Sequence, residues 1–273
     1  MHISTKEITA LELWQLLILA ILQGITEFLP VSSSGHLVVL ASVLLDVTDP
    51  ALNLTAINVV LHVGTLLTIL VFYRKRILTL LKSDRRTLAL VVAGTLPAVI
   101  VGLPLKLFLE DALTSPLLAG ALLIGTGGLL VCTSRVREGD QSLNTLTYRN
   151  AILIGIGQAL AILPGLSRSG TTISVALFLG VKRQASAEFS FLLAIPAIAG
   201  AGLLEAKDLL QASPTSTPLF YLVLGAILAF TVGTVALRWL LTWLQSGRLA
   251  WFAWWCIPVG VTVITWRLLL MAT

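Results

Sequence analysis

The stretch Gly24 to His36, "GITEFLPVSSSGH", packs a carboxylate (Glu27), three serines (Ser32, Ser33 and Ser34) and an imidazole (His36) into thirteen positions. A second stretch, "PGLSRSG" from Pro164 to Gly170, adds Ser167, Arg168 and Ser169, with Thr172 two residues beyond. Six hydroxyls around one guanidinium, with backbone N–H groups freed where helices start at Gly35 and Gly170, form a cradle suited to phosphate. His36 titrates near neutrality and could act as general base, general acid or phosphoryl acceptor. Glu27 could orient His36 or hold a divalent cation, Mg2+ or Ca2+, against phosphate oxygens. Gln23, four residues before it on the same helical face, is a possible second donor, and substrate phosphates would have to complete so sparse a site.

The rest of the chain is apolar. Of its 273 residues, 57% are hydrophobic and 11% charged, against about 25% charged in an ordinary soluble domain. That balance predicts an all-α integral membrane protein, a single polytopic membrane domain over residues 1–273. Charges at membrane depth cost at least a few kcal/mol each, which marks Glu27, His36 and Arg168 as functional. The bland alternative is a Glu27–Arg168 pair that only closes the fold, and the surrounding hydroxyls weigh against it. The net charge of +5 does not imply nucleic acid, because the basic residues sit in short loops between apolar runs, where they set membrane orientation. Cys132 and Cys256 each lie within an apolar run and read as small core hydrophobes. Lys6, Glu7 and Glu12 lead into the first apolar run with no small-residue cleavage site, so no removable signal peptide is expected.

Crossing a hydrocarbon core of about 30 Å takes about 20 helical residues. Six stretches qualify: Thr55 to Tyr73, Thr87 to Leu105, Pro116 to Thr133, Ser186 to Leu203, Pro218 to Leu244 and Ala250 to Met271. Pro97, Pro196 and Pro258 should kink these helices without ending them. Two other runs are interrupted, Leu11 to Leu45 at Pro30–Gly35 and Asn150 to Val181 at Pro164–Gly170. Arms of a dozen residues rise about 18 Å, so each run reads as a re-entrant helix hairpin.

"SSSG" and "SRSG" lie 135 residues apart, as do Gln23 and Gln158. Each half, approximately 1–135 and 136–273, then holds one hairpin and three crossings. Three is odd, so the second copy is inverted, and the two breaks should meet near the midplane. Cytoplasmic placement is expected for Arg74–Arg76, Lys82, Arg85, Arg86, Arg135, Arg137, Arg149, Lys182, Arg183 and Arg248. Asp46, Asp49, Glu110, Asp111, Glu205 and Asp208 then fall in outer loops, with Lys106 and Lys207 as exceptions.

Other polar residues read blandly. His62, alone in a long apolar segment, reads as a satisfied core histidine, and Glu188 in a span needs a partner. Arg74 to Arg86 reads as a solvated loop. Trp239, Trp243, Trp251, Trp254 and Trp255 read as an interfacial aromatic belt. "NLT" at Asn53 matches a glycosylation sequon and is set aside as a chance match.

"QGITEFLPVSSSGH" together with "LPGLSRSGTT" closely resembles the two signature motifs of the bacterial undecaprenyl-diphosphate phosphatases, the bacitracin-resistance family. The resemblance covers nearly the whole chain in spacing and segment order. It implies hydrolysis of a C55 polyprenyl diphosphate to the monophosphate, which recycles the lipid carrier of wall polymers. It also implies an inverted repeat with re-entrant helices in a bacterial cell membrane. The family's acidic motif falls on Gln23 and Glu27, its first tip on Ser33 and His36, and its second-tip phosphate binders on Ser167, Arg168 and Thr172. Gln23 stands where many members carry Glu, which shifts weight onto Glu27. Ser33 as nucleophile with His36 as base, His36 as direct acceptor, and attack by water stay open. Ser32, Ser34 and Ser169 are further phosphate contacts, and the pocket is expected to open to the outer face. A transporter or flippase for the polyprenyl phosphate carrier is the rival function, and a homodimer is an open alternative to the monomer.

Overall fold

The structure, a computed structural model, describes residues 13–44, 54–108, 110–211 and 217–272. Lys6, Glu7, Glu12, Asp46, Asp49 and Asn53 lie outside the described residues. Among the described residues no strand occurs, and twelve α-helices follow one another, with a short 3-10 helix at Leu249–Phe252 before the last: α1 (Leu13–Phe28), α2 (Ser33–Leu44), α3 (Leu54–Phe72), α4 (Arg74–Lys82), α5 (Arg85–Phe108), α6 (Glu110–Leu113), α7 (Pro116–Thr133), α8 (Tyr148–Leu160), α9 (Arg168–Phe178), α10 (Arg183–Gln211), α11 (Leu219–Gln245) and α12 (Ala253–Ala272). Helices α5, α7, α10, α11 and α12 are long and apolar enough to cross a membrane. The pair α3 and α4, bent by 71°, supplies a sixth span if counted as one. As expected, α5, α10 and α12 continue through Pro97, Pro196 and Pro258.

Only 22–39% of each of the five spans is buried within the protein. The outward remainder carries side chains such as Ile100, Leu219 and Trp254, a surface compatible with lipid and not with water. Cys256 is buried as the sequence predicts, but Cys132 is exposed on the outward face of α7. Both sit in equally apolar runs, and helix rotation alone separates them.

The four elements flanking the two breaks are shorter. Helices α1, α2, α8 and α9 have 16, 12, 13 and 11 residues, so each rises about 16–24 Å, less than the hydrocarbon thickness. Helix α1 packs against α2 and α11, α8 packs against α9 and α5, and α7 lies against both α2 and α9. Local chemistry sets where three helices begin: Ser115 with Pro116 starts α7, Thr147 caps α8 and Ser167 caps α9, each by accepting a backbone N–H three residues on. Beneath the first break, Phe28 is fully buried against Phe191 of α10, with ring centroids 5.8 Å apart. Close packing of this kind, more than transfer from water, holds helices together in lipid.

The basic loops gather at one end of the molecule. Arg86 donates to the carbonyls of Leu143 and Leu146 in the α7–α8 loop, and Gln141 in that loop bridges to Val181 beside α10. Arg183 joins Glu138 at 3.2 Å and the Gln245 carbonyl at the end of α11. Glu188 finds its required partner in Arg76, at 2.6 Å, and Arg76 also reaches Asp84 at 3.0 Å. Arg76 is therefore a tie between α4, the α4–α5 turn and α10, where the sequence reading made it a solvated loop residue.

Candidate active site

The two polar breaks meet. Ser32, between α1 and α2, adopts a left-handed conformation with φ of 69°, uncommon for a residue with a side chain and found where surrounding contacts enforce it. Its hydroxyl accepts the backbone N–H of Gly35 at 3.2 Å, which caps α2, and the backbone N–H of Gly165 in the second break at 3.1 Å. Gly35 and Gly165 lie so close that a Cβ on Gly35 would stand 2.7 Å from the Gly165 Cα. Only residues without side chains let the tips pack this way. Ser167 does for α9 what Ser32 does for α2, accepting from the Gly170 N–H at 3.1 Å. Thr126 of α7 steadies the second break, donating to the Gly165 carbonyl at 2.7 Å while accepting from the Ser167 N–H at 3.0 Å.

Glu27, on the last turn of α1, is the hub. It is buried, and one carboxylate oxygen, Oε1, accepts from Nη2 of Arg168. The other, Oε2, accepts from the Ser33 hydroxyl at 2.7 Å and from the Gln23 amide at 3.1 Å. Residues 141 apart in sequence thus share one ion pair. Arg168 Nη1 and Gln23 Oε1 are buried with no hydrogen-bond partner among the described residues. A guanidinium nitrogen is always a donor and an amide oxygen always an acceptor, so the site offers one unspent donor and one unspent acceptor beside a single carboxylate.

His36 is brought to the same break but not to Ser33. Its Nδ1 lies 2.8 Å from the Ser32 carbonyl and its Nε2 2.9 Å from the indole N–H of Trp255 on α12. A carbonyl only accepts and an indole N–H only donates, so the neutral ring carries its proton on Nδ1 and accepts at Nε2. The base pairing expected between Ser33 and His36 is replaced by a Ser33–Glu27 hydrogen bond, because α2 turns the two side chains to different neighbours. Trp255 stays half exposed as a belt residue would, yet it also holds the catalytic candidate His36, which composition cannot reveal.

The six hydroxyls divide into two groups. Ser33 and Ser34 are partly exposed, with Ser34 3.4 Å from the Ser32 hydroxyl. Ser32, Ser167, Ser169 and Thr172 are buried. Ser169 donates to the Leu29 carbonyl at 3.3 Å, and Thr172 bonds the Arg168 carbonyl at 2.8 Å and the Ser190 hydroxyl of α10 at 2.6 Å. Those four build and join the breaks, and the free face belongs to Ser33, Ser34 and Arg168. Helix α3 adds a residue that the sequence reading assigned to the core. His62 Nε2 lies 3.9 Å from Glu27 Oε2, and the side chain is 31% exposed. Its approach depends on the rotation of α3, for which the sequence carries no signal beyond a lone histidine in an apolar run.

The family described as "Bacitracin resistance protein BacA" matches residues 16–262, a span that holds both breaks. An undecaprenyl-diphosphatase of Rhodopirellula baltica is 50% identical over 254 residues, 93% of this chain and 97% of that protein. Proteins of the same name from Desulfatibacillum aliphaticivorans and Mycobacterium leprae are 41% and 35% identical over 92% and 94% of this chain, covering 97% and 95% of their own lengths.

Proposed function

The chain belongs to the bacitracin resistance protein BacA family, and on that premise we infer that it is an undecaprenyl-diphosphatase, hydrolysing undecaprenyl diphosphate to undecaprenyl phosphate and inorganic phosphate. The observation that carries the mechanism is the double use of Glu27, which accepts from the Ser33 hydroxyl on one oxygen and from Arg168 on the other. Ser33 Oγ attacks the terminal phosphorus as its proton passes to Glu27 Oε2. The bond from that phosphorus to the bridging oxygen breaks, and undecaprenyl phosphate leaves. Water then attacks the phosphorus of the phosphoserine, the bond from that phosphorus to Ser33 Oγ breaks to release inorganic phosphate, and Glu27 returns its proton to the serine oxygen. Arg168 Nη1 donates to the oxygens of the transferring group, where charge must be stabilised in the transition state. Ser34 lies on the same open face and extends the phosphate contacts. For His36 to act as acid or acceptor, Trp255 must first release Nε2.

Gln23 turns its amide N–H to the Glu27 carboxylate and leaves its Oε1 buried without a partner, so a divalent cation at Glu27 would need that amide turned over to present the oxygen. Glu27 and Gln23 would hold Mg2+ or Ca2+, and when bound the ion supplies positive charge against the phosphate oxygens.

The architecture behind this chemistry is an inverted repeat, with α1–α2 and α8–α9 as re-entrant hairpins from opposite leaflets. The equivalent capping roles of Ser32 and Ser167, at the 135-residue offset, support that reading. The clustered basic loops support a cytoplasmic face at that end of the molecule, in a bacterial inner membrane, with the catalytic pocket opening outward. The similar proteins are named for hydrolysis, which disfavours the transporter reading. Phosphate release from undecaprenyl or farnesyl diphosphate by the purified protein in detergent tests the function, since no gradient or second compartment exists there. Absence of release, with lipid movement retained in liposomes, would overturn it. Light scattering of the same sample decides between monomer and homodimer.

A further inference from the structure

In the mechanism above Trp255 only masks Nε2 of His36, but its place in the fold is set more closely than an interfacial belt requires. The next residue, Cys256, is fully buried, with its thiol 3.7 Å from the Pro30 carbonyl of the first break. That turn of α12 also lies on Gly127 of α7, where a Cβ would stand 2.5 Å from Ile257 Cγ1 and 3.4 Å from Cys256 Cβ. The backbone that carries the indole is therefore docked against the break. The indole itself is 55% exposed, on a surface suited to lipid, where an unmet N–H would be costly. Nε2 of His36 meets that N–H at 2.9 Å. The two ring planes are 11° apart and their centroids 6.2 Å apart. At so short an N–N distance, nearly parallel rings must meet edge to edge, so the N–H points along the imidazole plane at the Nε2 lone pair.

The hydrogen bonds continue inward. Nδ1 of His36 donates to the Ser32 carbonyl at 2.8 Å, and the same carbonyl accepts the His36 backbone N–H at 3.3 Å. Ser32 is the residue held at φ of 69°, its hydroxyl joins the two breaks, and Ser33 follows it. A chain of donors thus runs from α12 through the imidazole to the residue that carries the nucleophile. It exists only while the ring is neutral, because an imidazolium has no lone pair to offer the indole. At the 135-residue offset Ser167 repeats the cap made by Ser32, but Thr171 stands for His36 and Gly120 for Trp255. The caps that close the fold are present twice. The indole–imidazole pair is present once, on the side of Ser33 and Glu27.

We propose that Trp255 is a positioning residue of the hydrolase site. Acting through His36, its indole N–H holds the imidazole neutral with the proton on Nδ1, and the ring so held braces Ser32 and keeps the Ser33 hydroxyl on Glu27, 2.7 Å away. His36 is then a strut in the serine step and not its acid, base or phosphoryl acceptor. This deepens the hydrolase reading above and rests on it.

The full-length protein in detergent, with 15N in its histidine rings, gives the first readout by NMR. The His36 signals are those absent from His36→Asn. They should show a neutral ring protonated on Nδ1, and the Nε2 signal should move in Trp255→Phe. Trp255→Phe should melt close to the parent and lose roughly 2- to 12-fold in kcat for farnesyl diphosphate at unchanged KM, the size of one neutral hydrogen bond. Trp254→Phe, at the neighbouring position that is 83% exposed, should keep the parental kcat and Nε2 signal. Asparagine places an amide nitrogen where histidine has Nδ1, and glutamine places one where histidine has Nε2. His36→Asn should therefore turn over roughly threefold or more faster than His36→Gln. A proton on Nε2, an Nε2 signal or kcat unmoved in Trp255→Phe, a change in KM in place of kcat, or an asparagine variant no faster than the glutamine one would each overturn the proposal. An acid-labile phosphoenzyme that His36→Gln lacks would do the same, by making the imidazole the acceptor. No phosphate release by the parent protein sinks the hydrolase reading and this role with it, whereas release combined with any of those results sinks the role alone.

Discussion

Replacing Arg168 by lysine separates the two jobs of the guanidinium. Nη2 holds Glu27, and Nη1 is buried with no partner among the described residues, so in the proposed mechanism the first nitrogen maintains the fold and the second meets substrate. A lysine ammonium supplies a point charge to Glu27 but cannot present a second donor in a fixed fork. Arg168→Lys should therefore melt close to the parent protein. It should lose one charge-assisted hydrogen bond to the transferring phosphoryl group, about 1.5–3 kcal/mol, or roughly 10- to 150-fold in kcat/KM. Arg168→Ala should behave differently. It leaves the buried Glu27 carboxylate without its counter-charge, which costs about 3–5 kcal/mol of stability when one partner of a buried pair is removed, and turnover should disappear. Both variants are read by phosphate release from farnesyl diphosphate in detergent and by thermal melting. A lysine variant with full kcat/KM, or an alanine variant that melts and turns over like the parent, would refute the assignment of Nη1 to substrate.

Ser33→Ala leaves Glu27 bonded to Gln23 and Arg168, so melting should barely change while kcat falls by about a thousandfold or more; parental turnover would hand the nucleophile's role to water. Chelation with EDTA should stop phosphate release and Mg2+ or Ca2+ should restore it, whereas an unaffected rate would remove the cation from the mechanism. Asp84 offers a test far from the site: burial pushes its carboxyl pKa up, but the Thr87 N–H at 3.1 Å and Arg76 at 3.0 Å outweigh burial and hold it below the usual carboxylate value. The pair therefore stabilises the fold above the unfolded carboxylate pKa of about 3.9, and that stability is lost as pH falls through the lower folded value. Asp84→Asn keeps a good helix cap and should lower stability at pH 7 by about 1 kcal/mol or less. The melting difference should close once pH falls below the lowered folded value, and a gap that persists in acid would show that the charge is not responsible.

The apolar runs and their two polar interruptions were legible in the linear chain, as were the residue types from which a phosphate site could be built. Hydropathy is a local property, and a lipid-spanning helix must satisfy its own backbone within one continuous stretch. Glu27 and Arg168 could be marked as costly at membrane depth without knowing that they touch, and Glu188 could be said to need a partner without naming Arg76. Tertiary structure decided the partners. Glu27, not His36, accepts from Ser33; Trp255 closes the lone pair of His36; His62 leaves the core to face the carboxylate; four of six hydroxyls are spent on holding the breaks together. Each outcome turns on the rotation of one helix about its axis, about 100° per residue, and on which surface packs against it. An apolar sequence surrounded by lipid can bury any face it has, so only the close packing of particular helices, Gly35 against Gly165 among them, selects the face that carries the chemistry.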